Sequence, residues 1–183
     1  MDFSYINFLQ KVAKMVAPSG NEKEVLDLWS NEISAYVSDT YSTSLGNVVA
    51  VKHGTCDCRK KIMLTAHADE IGLIITYIDN DGFLYFNEIG GIDTNLLPGK
   101  VVSIKGINGL IDGVIGVKPV HLQERGNNKQ NLSPEDLWID INVKDKEEAL
   151  EFVQIGCVAT LTSDFLVRGS RITGKAMDNR CSL

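Results

Sequence analysis

A change of hydrophobic period near residue 70 constrains this chain more than any other feature. Before it, apolar residues recur at helical spacing. Ile6, Leu9, Val12, Ala13 and Val16 share one face of a helix over residues 3–16. Pro18-Ser19-Gly20 breaks that pattern, and Ser19 with Glu22 fits a capping box for a second helix running to about Val37. Val25, Leu28, Trp29, Ile33 and Tyr36 line its apolar face, and both helices are expected to cover a sheet. After residue 70 the period shortens to that of strands. Gly72–Ile78 and Phe83–Ile89 flank Asp79-Asn80-Asp81-Gly82, a strong hairpin signal. Further strands are predicted over Lys100–Lys105, Leu110–Lys118, Trp138–Val143, Cys157–Thr162 and Phe165–Arg168.

Two shorter segments complete the α/β opening. Asn47–Lys52 reads as a strand after the Gly46-Asn47 turn. Lys61–Ala66 is a short apolar run without alternation, as expected for a strand covered on both faces. Between these two, residues 53–59 read as a loop. Residues 123–136 are a polar loop, and Asp145 with Glu148 caps a short helix through Phe152. Helices and strands first, then a β block, suggest two units, with the β block a small barrel or sandwich inserted into the first.

Composition narrows the function classes. At 183 residues, 44% hydrophobic and 23% charged, the chain has the make-up of a globular protein rather than a disordered one. The net charge of -6 and the lack of a basic stripe exclude a nucleic-acid binder by electrostatics. No apolar run approaches the roughly 18 residues of a membrane span. The N-terminus has no signal-like core, and the four cysteines do not make a disulfide scaffold, so a reducing cytoplasm is expected.

The sharpest chemical feature is Thr65-Ala66-His67-Ala68-Asp69-Glu70-Ile71-Gly72, placed at the C-terminal end of the predicted strand 61–66. Open α/β sheets carry their sites at that edge. His67 suits a metal through a neutral imidazole nitrogen, and a carboxylate two residues on can hold the other ring N–H. The alternative is a hydrogen-bonded histidine at a strand end. In Gly174-Lys175-Ala176-Met177-Asp178-Asn179-Arg180, Asp178 can bridge two cations, or simply cap a following helix. Gly169 to Lys175 imitates a phosphate loop, but Ala176 stands where the magnesium-binding hydroxyl belongs, so the match is a coincidence. Cys56-x-Cys58 lacks a second pair at zinc-finger spacing and reads as a reduced surface loop. His121 reads as a packed histidine. Asn131-Leu132-Ser133 matches a glycosylation acceptor, but Pro134 follows it and nothing indicates secretion.

Together these segments resemble the dinuclear-metal glutamyl aminopeptidase family, whose members include the tetrahedral (TET) aminopeptidases. The matching pieces stand in the family's order. They are residues 17–22, Leu45-Gly46-Asn47, residues 66–72, Ile89-Gly90-Gly91-Ile92-Asp93, Leu97-Pro98-Gly99, residues 116–122, Trp138-Ile139-Asp140-Ile141 and residues 174–180. The resemblance implies a zinc-peptidase-like α/β catalytic domain, truncated here, interrupted by an inserted β-barrel dimerisation domain. The implied division is 1–70 with 161–183 for the catalytic part and 71–160 for the barrel. It also implies removal of N-terminal residues from peptides, two divalent metal ions per complete subunit (zinc or cobalt), and homo-oligomers formed through the barrel.

By position, the resemblance makes His67 a ligand of one metal, Asp178 the bridge to both, and Asp69 the group that steers His67. The family's general-base glutamate and its remaining ligands lie downstream of the segment like Asp178, and this chain ends five residues after it. The chain is therefore expected to be an N-terminal portion, inactive alone. Two other readings compete: a non-catalytic barrel used for self-association, and an endoglucanase-type glycoside hydrolase. The second is disfavoured by an aromatic content of only 7%.

Overall fold

The computed structural model describes residues 3–55, 60–118 and 132–183. Helix α1 (Phe3–Lys14) and helix α2 (Lys23–Ile33) come first. Hairpin β1 (Asp39–Ser42) and β2 (Val48–Val51) follows. Six strands then close into a barrel: β3 (Gly72–Ile78), β4 (Leu84–Ile89), β5 (Val101–Gly106), β6 (Gly109–Val117), β7 (Leu137–Asp140) and β8 (Val158–Leu161). Helix α3 (Lys146–Phe152) lies between β7 and β8. A second hairpin, β9 (Leu166–Arg168) with β10 (Arg171–Thr173), leads into the one-turn helix α4 (Met177–Arg180).

Period-two alternation builds the barrel. Leu73 and Ile75 on β3, Leu84 and Phe86 on β4, Val102 and Ile104 on β5, and Leu137 and Ile139 on β7 all point inward and are buried. Each such side chain contributes roughly 1.5–3 kcal/mol of burial. All pairings are antiparallel, in the order β3-β4-β7-β6-β5-β8, with β8 returning to β3. Strict alternation would put Tyr77 inside. A register shift between Ile75 and Tyr77 leaves Thr76 unpaired, so Ile78 fills the interior and Tyr77 faces out. Ala149 and Val153 from the α3 segment and Leu97 from a 3-10 turn plug the barrel. Asp145 caps α3, its carboxylate accepting the Glu148 N–H at 2.9 Å, as the sequence predicts.

A second, smaller core joins the two ends of the chain. Phe8, Leu9, Val12, Ala17, Val25 and Ala68 are buried there, with Trp29, Phe165, Ile172, Met177 and Leu183 packed around them. It underlies the segment 67–70 and the turn 174–180, and so positions the candidate site.

Several expectations change. Lys61–Ala66 forms no strand. Ile62, Met63 and Leu64 are 89%, 84% and 92% exposed, and no described strand pairs with them. A buried parallel strand needs neighbours on both sides, and its own residues cannot supply them. His67 therefore does not sit at a strand's C-terminal edge. Helix α2 stops at Ile33, short of Val37, and Tyr36 is exposed. The Ser19–Glu22 capping box does not form: Glu22 accepts the Gly20 N–H at 2.7 Å, and Ser19 turns to Asp69 instead. The helices pack on each other and on Ala68, with α2 also against β2, rather than covering a broad sheet. Cys56, Cys58, His121 and Asn131, with most of the loop 123–136, lie outside the described residues.

Candidate metal centre

Three chain segments meet at the site. Just before β3, Glu70 forms a parallel bridge with Pro18, its N–H donating to the Ala17 carbonyl at 3.2 Å. That pairing lays the Pro18-Ser19-Gly20 turn beside residues 67–70. Gly72 makes the approach possible, because a Cβ there would stand 2.7 Å from both the Pro18 side chain and the Ala159 carbonyl. The β9–β10 hairpin brings the third segment, in which Ala176 takes the left-handed conformation (φ 55°) and turns the chain toward Asp178. The Asp178–Asn179 peptide bond is cis.

His67 is held from both ring nitrogens. Nδ1 meets Asp69 Oδ1 at 2.8 Å, and Nε2 faces Asp178 Oδ1 at 3.3 Å. The Ser19 hydroxyl donates to the other oxygen of Asp69. That hydrogen bond leads in holding the Asp69 carboxyl below its ordinary value, and the His67 contact adds to it. For His67, burial pulls its pKa down, but the hydrogen bonds and charges of Asp69 and Asp178 more than offset this and raise it. Asp178 is almost fully exposed, and the His67 ring about half exposed.

Beneath this surface triad lies a buried ion cluster that sequence reasoning did not single out. The Glu70 carboxylate receives the Lys175 ammonium at 2.8 and 2.9 Å and the Arg180 guanidinium at 3.1 Å. Arg180 is fully buried and donates to the carbonyls of Val12, Met15, Ala17 and Ala68. Lys175 also donates to Met15 O and Thr160 Oγ1. The two cations thus meet carbonyls at and just beyond the C-terminal end of α1, where positive charge is favoured. Burial pushes the pKa of both cations down, and Glu70 partly offsets it. With Lys175 committed to Glu70, the phosphate-loop imitation cannot offer that lysine to a phosphate.

The structure thus brings His67, Asp69 and Asp178 together. Two donors 3.3 Å apart are spaced as two ligands about 2.0–2.1 Å from one zinc at a near-tetrahedral angle. A ring nitrogen with a carboxylate oxygen suits a divalent cation. Among the described residues no three or more His, Cys, Asp or Glu side chains are placed to hold one metal ion together.

A relative from Acetivibrio thermocellus is 38% identical over 174 residues, which cover 95% of this chain and 49% of that protein. The crystal structure of a TET aminopeptidase from a marine-sediment Thaumarchaeota archaeon superposes with a TM-score of 0.91 at 29% identity, covering 98% of this chain and 51% of that one. A Thermotoga maritima structure named as an endoglucanase matches with a TM-score of 0.80 at 35% identity, covering 94% of this chain and 50% of its own. The chain spans about half the length of the curated relatives it matches. The sequence pattern of the M42 glutamyl aminopeptidases matches residues 46–183, and the chain belongs to that family.

Proposed function

We propose that this chain contributes part of the active site of a metal-dependent aminopeptidase that removes N-terminal residues from peptides. The observation that carries the reading is the convergence of His67 Nε2 and Asp178 Oδ1, with Asp69 holding the far side of the imidazole. In this reading His67 and Asp178 would hold a divalent cation, zinc or cobalt, and Asp178 would be shared with a second. Such cations would supply polarisation of a scissile carbonyl and a lowered pKa for bound water. Asp69, kept ionised by the Ser19 hydrogen bond, accepts a hydrogen bond from Nδ1–H. It thereby fixes the tautomer that leaves Nε2 with its lone pair outward. The exposure of Asp178 leaves its second oxygen open for a bridging role.

Residues 1–70 with 161–183 are proposed as part of the catalytic domain, and residues 71–160 as an inserted barrel. In support, the barrel strands run from Gly72 to Leu161, and the second core gathers the two flanking segments. Homo-oligomerisation through the barrel agrees with the tetrahedron or large octahedral shell into which the similar Pyrococcus horikoshii TET1 peptidase can assemble, and with exposed apolar residues such as Val101, Leu110 and Val114 on β5 and β6. A cytoplasmic setting agrees with the low cysteine content; no helix among the described residues is long and apolar enough to cross a membrane.

Glycoside hydrolysis fits less well. It needs two carboxyl groups flanking a sugar. Asp69 is engaged by His67 and Ser19, and Glu70 is sealed in ion pairs, which leaves Asp178 as the exposed carboxylate of the site.

The test is hydrolysis of aminoacyl p-nitroanilides by a chain of the relatives' length that carries these 183 residues. His67→Ala and Asp178→Ala are each expected to lower kcat at least a hundredfold. Wild-type turnover in either variant contradicts the reading. The 183-residue chain by itself is expected to show no turnover with added zinc or cobalt, because two protein donors hold a cation weakly.

A further inference from the structure

We propose that Glu70, Lys175 and Arg180 form a positioning clamp that sets the distance between His67 and Asp178. The two residues it aligns have little packing of their own: the Asp178 side chain is 97% exposed and that of His67 53%. Their relative placement has to come from the backbone below. Lys175 precedes Asp178 by three residues and Arg180 follows it by two, so the Asp178 turn is anchored at both ends. Both anchors close on one carboxylate, Glu70, which follows His67 by three residues and Asp69 by one. The ends of a turn only six residues long are thereby tied to the segment that bears His67.

Stability alone is a poor account of three ionised groups at this depth. Buried ion pairs often contribute no more than apolar side chains of the same volume, because desolvation offsets their attraction. Geometry is what the charges add. Arg180 is fixed by five acceptors and Lys175 by three, the Glu70 carboxylate, the Met15 carbonyl and the Thr160 hydroxyl, so neither cation can slide without leaving a buried partner unpaired. The same contacts clasp the end of α1, through Val12, Met15 and Ala17, so the turn cannot shift independently of that helix.

The role of the clamp in metal binding rests on the reading proposed above; the spacing it sets does not. The experiment therefore reads the spacing. The 183-residue chain is prepared with 15N-labelled histidine, and the His67 ring signals are recorded at one fixed pH. Asp178→Asn is expected to move those signals, because the two side chains touch. In a Lys175→Met background the same substitution is expected to move them less than half as far, and Lys175→Arg is expected to restore the full effect. In uniformly 15N-labelled samples of the same variants, barrel amides such as Leu73 and Ile139 should stay in place throughout. An unchanged Asp178→Asn effect in Lys175→Met overturns the proposal, leaving the cluster a purely structural tie. So does the absence of any Asp178→Asn effect in the wild-type chain. If Lys175→Met fails to fold, Thr160→Val removes one acceptor of Lys175 at nearly constant volume and carries the same comparison: a reduced effect supports the clamp and an unchanged one overturns it. A parallel titration with zinc alone reads the metal site. Undisturbed His67 signals there defeat the metal reading, and the spacing comparison still decides the clamp.

Discussion

At the scale of single residues, the chemistry turns on how His67 is held. Asp69 and Asp178 together keep its imidazole above the ordinary 6.5 in the metal-free chain. Asp69→Asn removes the nearer charge and is expected to lower that pKa, read from an NMR titration of the ring protons. An unchanged value contradicts the assignment of Asp69 as the steering group. The sign for stability follows from the same shift. A histidine whose folded pKa is raised contributes stability below its unfolded value, and that contribution is lost as pH rises through the folded value. The contribution is small here, because solvent screens a half-exposed ring. The buried cluster was invisible at this scale in the sequence. Glu70 and Lys175 are separated by 105 residues, and no local pattern reveals that a surface-type charge will be buried against a distant partner.

At the scale of elements, the barrel strands were legible because period two and turn chemistry agree. Asp79-Asn80-Asp81-Gly82 does what its composition promises: Asp79 accepts the N–H groups of Asp81 and Phe83, and Gly82 takes a positive φ of 84°. The bulge at Thr76 was not legible, since it depends on which β4 residue stands opposite. Lys61–Ala66 was misread because an apolar run does not say whether a sheet exists to receive it. The role of Ser19 is not legible because a helix cap and a partner fifty residues away in the sequence make equal use of a hydroxyl. Two substitutions test the elements. Ile139→Ala, at the centre of β7, is expected to cost about 2–5 kcal/mol in urea unfolding. Gly72→Ala forces a Cβ onto Pro18 and the Ala159 carbonyl and is expected to cost about 1–3 kcal/mol. Wild-type stability for Gly72→Ala contradicts the close seam between the barrel and the Pro18 turn.

At the scale of the whole molecule, one closed barrel stands beside a small core that gathers both ends of the chain. Family membership was readable because several motifs keep their order over nearly the whole length, and the match over residues 46–183 agrees with it. His67 and Asp178 are proposed as donors to one metal. Zinc anomalous scattering from crystals of the 183-residue chain soaked in zinc tests it most directly. The expected result is a peak about 2.0–2.2 Å from His67 Nε2 and from an Asp178 carboxylate oxygen. A peak at His53 or His121 with none at His67 would contradict it.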